Sequence, residues 1–440
     1  MAVSFPVAEN RYSTLHSVKA VVDGDSLSST QVWSTSATNR ERRANGYLTW
    51  MAALSSQVLD LKYEDGFGTS GHDAANIESG VDTALQRIFD VKANVAIMSL
   101  GTNDVEDSTT IAALTTSYTN IIQKYLDADC VVIVGLPLPR ADWEGETDPT
   151  KASYVQRLHD IRDALKTLVA SLSRSNNGRV RLFDAFDIIV DPDSPDGTNG
   201  LLYYPKDGYI NASDGVHLTT LGAYYYGRAA AEAFRKSGLF SPPKKAPSNS
   251  LIYNTNSDLS GTGGSISTGA SGQCADNTRI QRASGSNLAC VASKESNVEI
   301  DGILYADVQK LVFSGATVDN EEFYFYCEYP DTPVAFDGSQ GLEFIVPIKI
   351  EGAVGMRRCY LYGRQTISGT TYTTKDLIPT SNNGYMPADV EVLLRTEAWA
   401  VPSGTPTTEQ KLIRISFDGT ISGNGATIYV GHPVIRQLTV

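Results

Sequence analysis

Histidine is scarce in this chain, five in 440 residues, so chemistry that needs an imidazole has few places to come from. Cysteine is equally thin: an odd five, widely spaced and without a Cys-x-x-Cys pair, which argues against both a disulfide framework and a zinc site. Cys130 opens a strand-like run and reads as a small buried hydrophobe. No apolar run reaches the length of a membrane span, and no long Lys/Arg run occurs. With 36 Lys+Arg against 50 Asp+Glu the net charge is −14, which disfavours a nucleic-acid backbone or an anionic membrane as main partner. The start, Met1-Ala2-Val3-Ser4-Phe5-Pro6-Val7, lacks a charged segment followed by an apolar core. It predicts no signal peptide and synthesis in a cytoplasm, with action outside only after non-classical release or assembly into a particle.

What is present is globular: 41% hydrophobic and 20% charged residues, with a length that exceeds one ordinary core and predicts two or three domains. The first, 1–240, alternates strand and helix signals. Val21-Val22 runs into Asp23-Gly24-Asp25-Ser26, a strand ending in a turn. Val95 to Leu100, Cys130 to Leu136 and Arg179 to Asp184 are further strand signals, and Val58 to Tyr63 alternates as a strand does. Between them Ile77, Val81, Leu85 and Ile88 fall on one helical face, as do Val155, Leu158, Ile161, Leu165 and Leu168. Helices are also predicted over Tyr47–Gln57, Thr109–Leu126 and Thr219–Lys236. The pattern predicts a parallel sheet with helices on both faces. Arg40-Glu41-Arg42-Arg43 reads as a solvated loop or helix face.

Ser241 to about Ser250 is a Pro-rich linker. Beyond it, 251–440 turns to Gly, Ser and Thr and then to short alternating runs such as Phe323 to Tyr326 and Leu412 to Ile415. These predict an all-β domain, a sandwich.

The glycine- and aspartate-containing turns of the first domain fall at strand ends or just before helices, where open α/β sheets bind ligands. Acyl transfer through serine needs a hydroxyl, an imidazole to take its proton, a carboxylate to hold the imidazole, and donors for the oxyanion. Ser26 supplies the hydroxyl. His217 lies in a glycine-containing turn after the last strand, with Asp214 three residues before it. The Ser26 N–H, a glycine N–H from the second turn and the Asn103 side chain can donate to an oxyanion. Asp191, Asp193 and Asp196 echo a calcium loop, but Pro192 and Pro195 interrupt it and no Glu closes it; the stretch reads as a surface turn and no metal site is predicted. Trp33, Trp143, Tyr203 and Tyr204 fall in predicted loops and could stack on sugar rings.

Gly24-Asp25-Ser26-Leu27-Ser28, Gly68-Thr69-Ser70-Gly71, Gly101-Thr102-Asn103-Asp104 and Asp214-Gly215-Val216-His217 resemble, in order, the four blocks of the SGNH (GDSL) hydrolase family. The resemblance covers residues 18 to 237. It implies a flavodoxin-like three-layer α/β/α fold and ester hydrolysis without a cofactor, with Ser26 as nucleophile, His217 as base and Asp214 as its orienting acid. It further implies an oxyanion hole of Ser26, Asn103 and a second-block glycine, Gly71 in the usual placement or Gly68 as alternative. Asn254 to Asp276 and Ile428 to Arg436 resemble the ends of jelly-roll-like β-sandwich domains in phage tail and prophage hydrolases, which implies glycan binding or trimer formation. The expected activity is O-deacetylation of an acetylated bacterial surface glycan, capsule or O-antigen, by a phage tail component. The alternatives are a glycan-binding or tail-structural protein that keeps the fold as a scaffold, and a lipase or thioesterase for longer acyl chains.

Overall fold

The computed structural model describes residues 18–29, 33–61, 68–107, 109–241, 251–252, 256–331, 333–379 and 384–439. The chain forms two compact units: His16–Trp33 with Ala44–Ser241, and Met1–Leu15 with Ser34–Arg43 and Pro242–Val440. Beyond Ser241 the expected linker lies outside the described residues.

The first unit is built on a five-stranded parallel sheet. Its spatial order is Leu59–Asp60, Val18–Gly24, Val95–Ser99, Val131–Gly135, Val180–Phe183. The apolar runs read from the sequence are these central strands. Every residue of Val95–Ser99 and Val131–Gly135 is buried, as strands covered on both faces must be. On one face, Val21, Ala96, Met98, Val132 and Val134 pack into one core with Val81, Leu114, Ile121, Leu158 and Leu165. Those partners come from the helices Ala74–Val91, Ile111–Asp127 and Asp148–Ser175. The helices Tyr47–Leu54 and Thr220–Arg235 pack against each other. Their Tyr47 and Tyr226 rings meet Phe183 at 6.0 and 4.8 Å, and so form the opposite layer. The result is a three-layer α/β/α domain. The strand predicted at Val58–Tyr63 is a short pair, Leu59–Asp60, and 62–67 fall outside the described residues.

The second unit is nearly all β. One eight-stranded sheet includes Ala289–Ile300, Ile303–Ser314, Gln340–Val354 and Gly425–Val430; the other includes Cys274–Ser284, Asp319–Tyr326, Met356–Ile367, Thr370–Ile378 and Thr408–Asp418. Phe313 of the first touches Phe323 and Phe417 of the second at 5.6 and 5.7 Å, so the sheets face each other across an aromatic core.

The Arg40–Arg43 cluster departs from its reading as a solvated loop or helix face. Asn39–Arg43 is a strand that pairs in parallel with Thr370–Ile378 in the second unit. Arg42 is buried and ion-paired to Asp376 at 3.3 Å, and Glu41 is paired with Lys375. Glu41 and Arg42 have counter-charges waiting on a strand more than 300 residues away, and pairing, not solvent, satisfies these two.

Candidate active site

In the order above, Val18–Gly24 lies between the two strands that follow it in the sheet, Leu59–Asp60 on one side and Val95–Ser99 on the other. The chain leaves Val18–Gly24 toward one edge of the sheet and leaves Val95–Ser99 toward the other, and such a switch point opens a crevice at the carboxyl ends of the strands. Ser26 sits there, one residue beyond Gly24–Asp25, at the start of the helical turn Ser26–Ser29. Asp25 shapes that turn. Its Oδ1 accepts the Leu27 N–H at 2.9 Å and its carbonyl accepts the Ser28 and Ser29 N–H groups. The Asp25 side chain is wholly buried, and burial pushes its carboxyl up to about 7.

The second turn lies directly on the first. Thr69 N–H donates to the Gly24 carbonyl at 2.8 Å. Gly68 has φ +115° and a Cβ there would stand 2.0 Å from the Gly24 oxygen, so only glycine allows this approach. Gly71, φ +79°, is the exposed glycine of the turn, with open space where a Cβ would be. The third turn binds the second: the Asn103 side-chain amide donates to the His72 carbonyl at 2.8 Å, and the Asp104 carboxylate accepts Ala74 N–H at 3.2 Å. An amide NH₂ has two N–H groups, so the bond to His72 fixes Asn103 and leaves the other free to donate. Burial raises Asp104 to about 6.

The fourth turn carries the imidazole. Asp214 Oδ1 accepts the N–H groups of Val216 and His217 at 2.9 and 2.8 Å. Its Oδ2 stands 3.2 Å from His217 Nδ1 and accepts from Asn211 Nδ2 at 2.8 Å. Burial alone would push the Asp214 carboxyl up, but the two backbone donors and the His217 ring outweigh it and hold it below the usual carboxylate range. With Nδ1 held on the carboxylate, Nε2 is turned away from solvent and has no hydrogen-bond partner among the described residues. An imidazole so held can take a proton at Nε2 while the carboxylate stabilises the cation. His159 and His432 differ: His159 Nε2 meets the Leu202 carbonyl at 2.7 Å and His432 Nε2 that of Asp307 at 3.0 Å.

Arg140, which the motif reading passed over, joins the third and fourth turns. It is buried, donates from Nη1 to the Thr102 carbonyl at 3.0 Å and pairs with Glu106 at 2.7 Å. It also grips the Asp142 carboxylate through Nε and Nη2. Asp142 is pressed against Gly215, φ +69°, where a Cβ would fall 2.4 Å from the Asp142 nitrogen, and Ala141 N–H donates to the Gly215 carbonyl at 2.8 Å. The four blocks thus form one hydrogen-bonded chain from Gly24 to His217. The only sequence signal for Arg140 was a charge in the loop leaving the strand Val131–Gly135.

Residues 24–223 match the GDSL-like lipase/acylhydrolase family. The α/β unit belongs to this family. It is therefore an ester hydrolase of the SGNH type. Among solved structures, a GDSL-like lipase from Bacteroides thetaiotaomicron is 15% identical, with a TM-score of 0.35, over 50% of this chain and 88% of that one. A family 3 carbohydrate esterase from Clostridium thermocellum is 16% identical, TM-score 0.35, over 51% of this chain and 99% of its own. One from Talaromyces cellulolyticus is 16% identical, TM-score 0.34, over 50% and 97%. No curated protein matches the chain.

The aromatic residues expected at the rim of this SGNH domain divide. Trp143 and Tyr203 are core side chains, 1% and 5% exposed, stacked at 6.4 Å. Trp143 Nε1 donates to Glu106 at 2.8 Å and the Tyr203 hydroxyl to Glu144 at 2.7 Å. Their expected role in sugar stacking gives way to packing, because the Pro/Gly-rich loop folds back on the helix Asp148–Ser175. Tyr204 is half-buried against the same core. Trp33 opens the strand Trp33–Ser36, and its side chain lies outside the described residues. The Asp191–Asp196 stretch is a turn closed on itself: Asp191 accepts from Asp193 N–H and Ser194, and Asp196 from Thr198 and Asn199 N–H. Among the described residues no cluster suited to a metal ion occurs.

Proposed function

We propose that this SGNH hydrolase removes O-acetyl groups from a polysaccharide, with Ser26 as nucleophile, His217 as general base and Asp214 as the group that orients it. The observation that carries the reading is the His217–Asp214 contact at 3.2 Å with Nε2 turned inward, in a turn that hydrogen bonds tie to the switch point where Ser26 stands. His217 takes the Ser26 proton as Oγ attacks the ester carbonyl, and returns it to the leaving sugar hydroxyl. Water then repeats the sequence on the acyl-enzyme. The oxyanion is met by the Ser26 N–H, the remaining Asn103 amide N–H and a second-turn N–H. Of the two candidate glycines Gly71 is the better donor, because it is exposed whereas Gly68 is pressed on Gly24.

The test is acetate release from acetylated capsule or O-antigen and from p-nitrophenyl acetate, by wild type and Ser26→Ala. The reading requires release by wild type and loss on the order of 10⁴-fold in the variant. No release from any of these esters, or rates that rise with acyl length, would sink it.

A further inference from the structure

The second unit carries a surface that the hydrolytic site does not use. In the sheet containing Asp319–Tyr326, Thr408–Asp418 and Met356–Ile367, Phe323, Phe325, Ile413, Ile415, Cys359 and Leu361 form the inner face and are all buried. Alternation puts their neighbours on the outer face. There Tyr324, Arg414 and Tyr360 stand directly opposite one another across three strands. The next row runs Arg279, Tyr326, Leu412, Tyr362 and Lys375 across five.

These rows are tightly organised. Glu322 grips the Arg414 guanidinium at two points, 2.9 and 2.7 Å. The guanidinium lies 4.9 Å from the Tyr324 ring and 5.6 Å from each of Tyr360 and Tyr362. Arg279 lies 4.7 Å from the Tyr329 ring and 5.9 Å from that of Tyr326. Tyr324, Tyr329, Tyr362, Arg279 and Arg414 keep part of their surface in solvent.

Charge on this face runs against that of the chain. Arg279, Arg358, Arg364, Arg414 and Lys375 share the outer rows with Glu322 and Glu41, five cations against two carboxylates, in a protein of net charge −14. Arg279, Arg358 and Arg364 form no ion pair among the described residues, whereas Arg414 and Lys375 do. We propose that this outer face, centred on Tyr324, Arg414 and Tyr362, binds an acidic glycan.

Tyrosine rings present broad amphipathic surface at small cost in side-chain freedom, and clamping by Arg414 removes much of that cost beforehand. Sugar rings lay their C–H faces on such surfaces, while the unpaired arginines meet carboxylates. Neighbouring rings are steeply tilted, 67° between Tyr324 and Tyr326 and 63° between Tyr326 and Tyr329. That relief suits puckered sugars better than the parallel stack of flat bases on which single-stranded nucleic acids are held.

The experiment is calorimetric titration of the full chain with tetragalacturonate, maltotetraose and a thymidine tetranucleotide at low salt. Tetragalacturonate should bind at least about fivefold more tightly than maltotetraose. Tyr324→Ala, and separately the double change Arg279→Gln with Arg364→Gln, should each weaken that binding about tenfold or more. Melting temperatures and p-nitrophenyl acetate turnover should stay at wild-type values in those variants, and Ser26→Ala should bind tetragalacturonate as wild type does. Absence of binding, binding that these variants leave intact, tighter binding of the tetranucleotide, or self-association that the variants abolish would each overturn the proposal. Failure of the hydrolase reading would appear separately, as wild-type protein inert toward p-nitrophenyl acetate.

Discussion

Asp214 holds His217 twice, once through the backbone N–H at 2.8 Å and once through Nδ1 at 3.2 Å. One carboxylate therefore shapes the turn and fixes the tautomer of the ring it carries. Asp214→Asn keeps an oxygen for the backbone donors but can present an N–H to Nδ1. The expected result is a kcat for p-nitrophenyl acetate lower by about 10²–10⁴-fold, with a far-UV spectrum and melting temperature near wild type.

The two second-turn glycines should respond differently to the same change. Gly68→Ala drives a methyl into the Gly24 carbonyl in a backbone region hostile to side chains. It should destabilise by more than the ~1–2 kcal/mol of left-handed strain alone and abolish turnover by pushing the second turn off the first. Gly71→Ala places its methyl in open space, keeps the N–H, and should cost about 1 kcal/mol with turnover within a few-fold. Urea unfolding and steady-state rates on both variants check this.

Arg140 bridges the Asn103 and His217 turns by polar contacts. Arg140→Met leaves the Thr102 carbonyl without this donor and the Glu106 and Asp142 carboxylates without their cation. The variant should lose about 2–3 kcal/mol of stability and lose kcat more than it changes KM, because both halves of the site move. Denaturant titration beside Michaelis kinetics separates the two effects.

Asp25 gives the fold a pH signature. Its carboxyl stands near 7 in the folded protein against 3.8 when free, so between those values the folded state holds a proton that the unfolded chain has released. Its contribution is full below about pH 4 and is lost as pH rises toward 7, in total about 4 kcal/mol at 1.36 kcal/mol per unit. Asp25→Asn cannot ionise. The stability difference between variant and wild type, followed by urea unfolding from pH 4 to 8, should move in favour of the variant as pH rises.

The sequence made the site legible because each block is local: Gly24 to Ser28 and Asp214 to His217 carry their geometry within five residues. The strands around them were legible because a parallel sheet covered on both faces needs continuous apolar runs, as in Val95–Ser99. Arg140 was hidden because its partners Thr102 and Glu106 lie more than thirty residues away. The Asn39–Arg43 strand was hidden for the same reason, its partners beginning at Thr373. Trp143 and Tyr203 looked available for ligand because loop composition says nothing about whether a loop folds back on the core.

The most direct test of the account is where an organophosphorus acylation mimic attaches. Diisopropyl fluorophosphate, followed by peptide mass spectrometry, should modify Ser26 and no other serine. Labelling should stop in Ser26→Ala and slow by orders of magnitude in His217→Ala. Labelling at a different serine, or an unlabelled Ser26 in a protein that still cleaves p-nitrophenyl acetate, would contradict it.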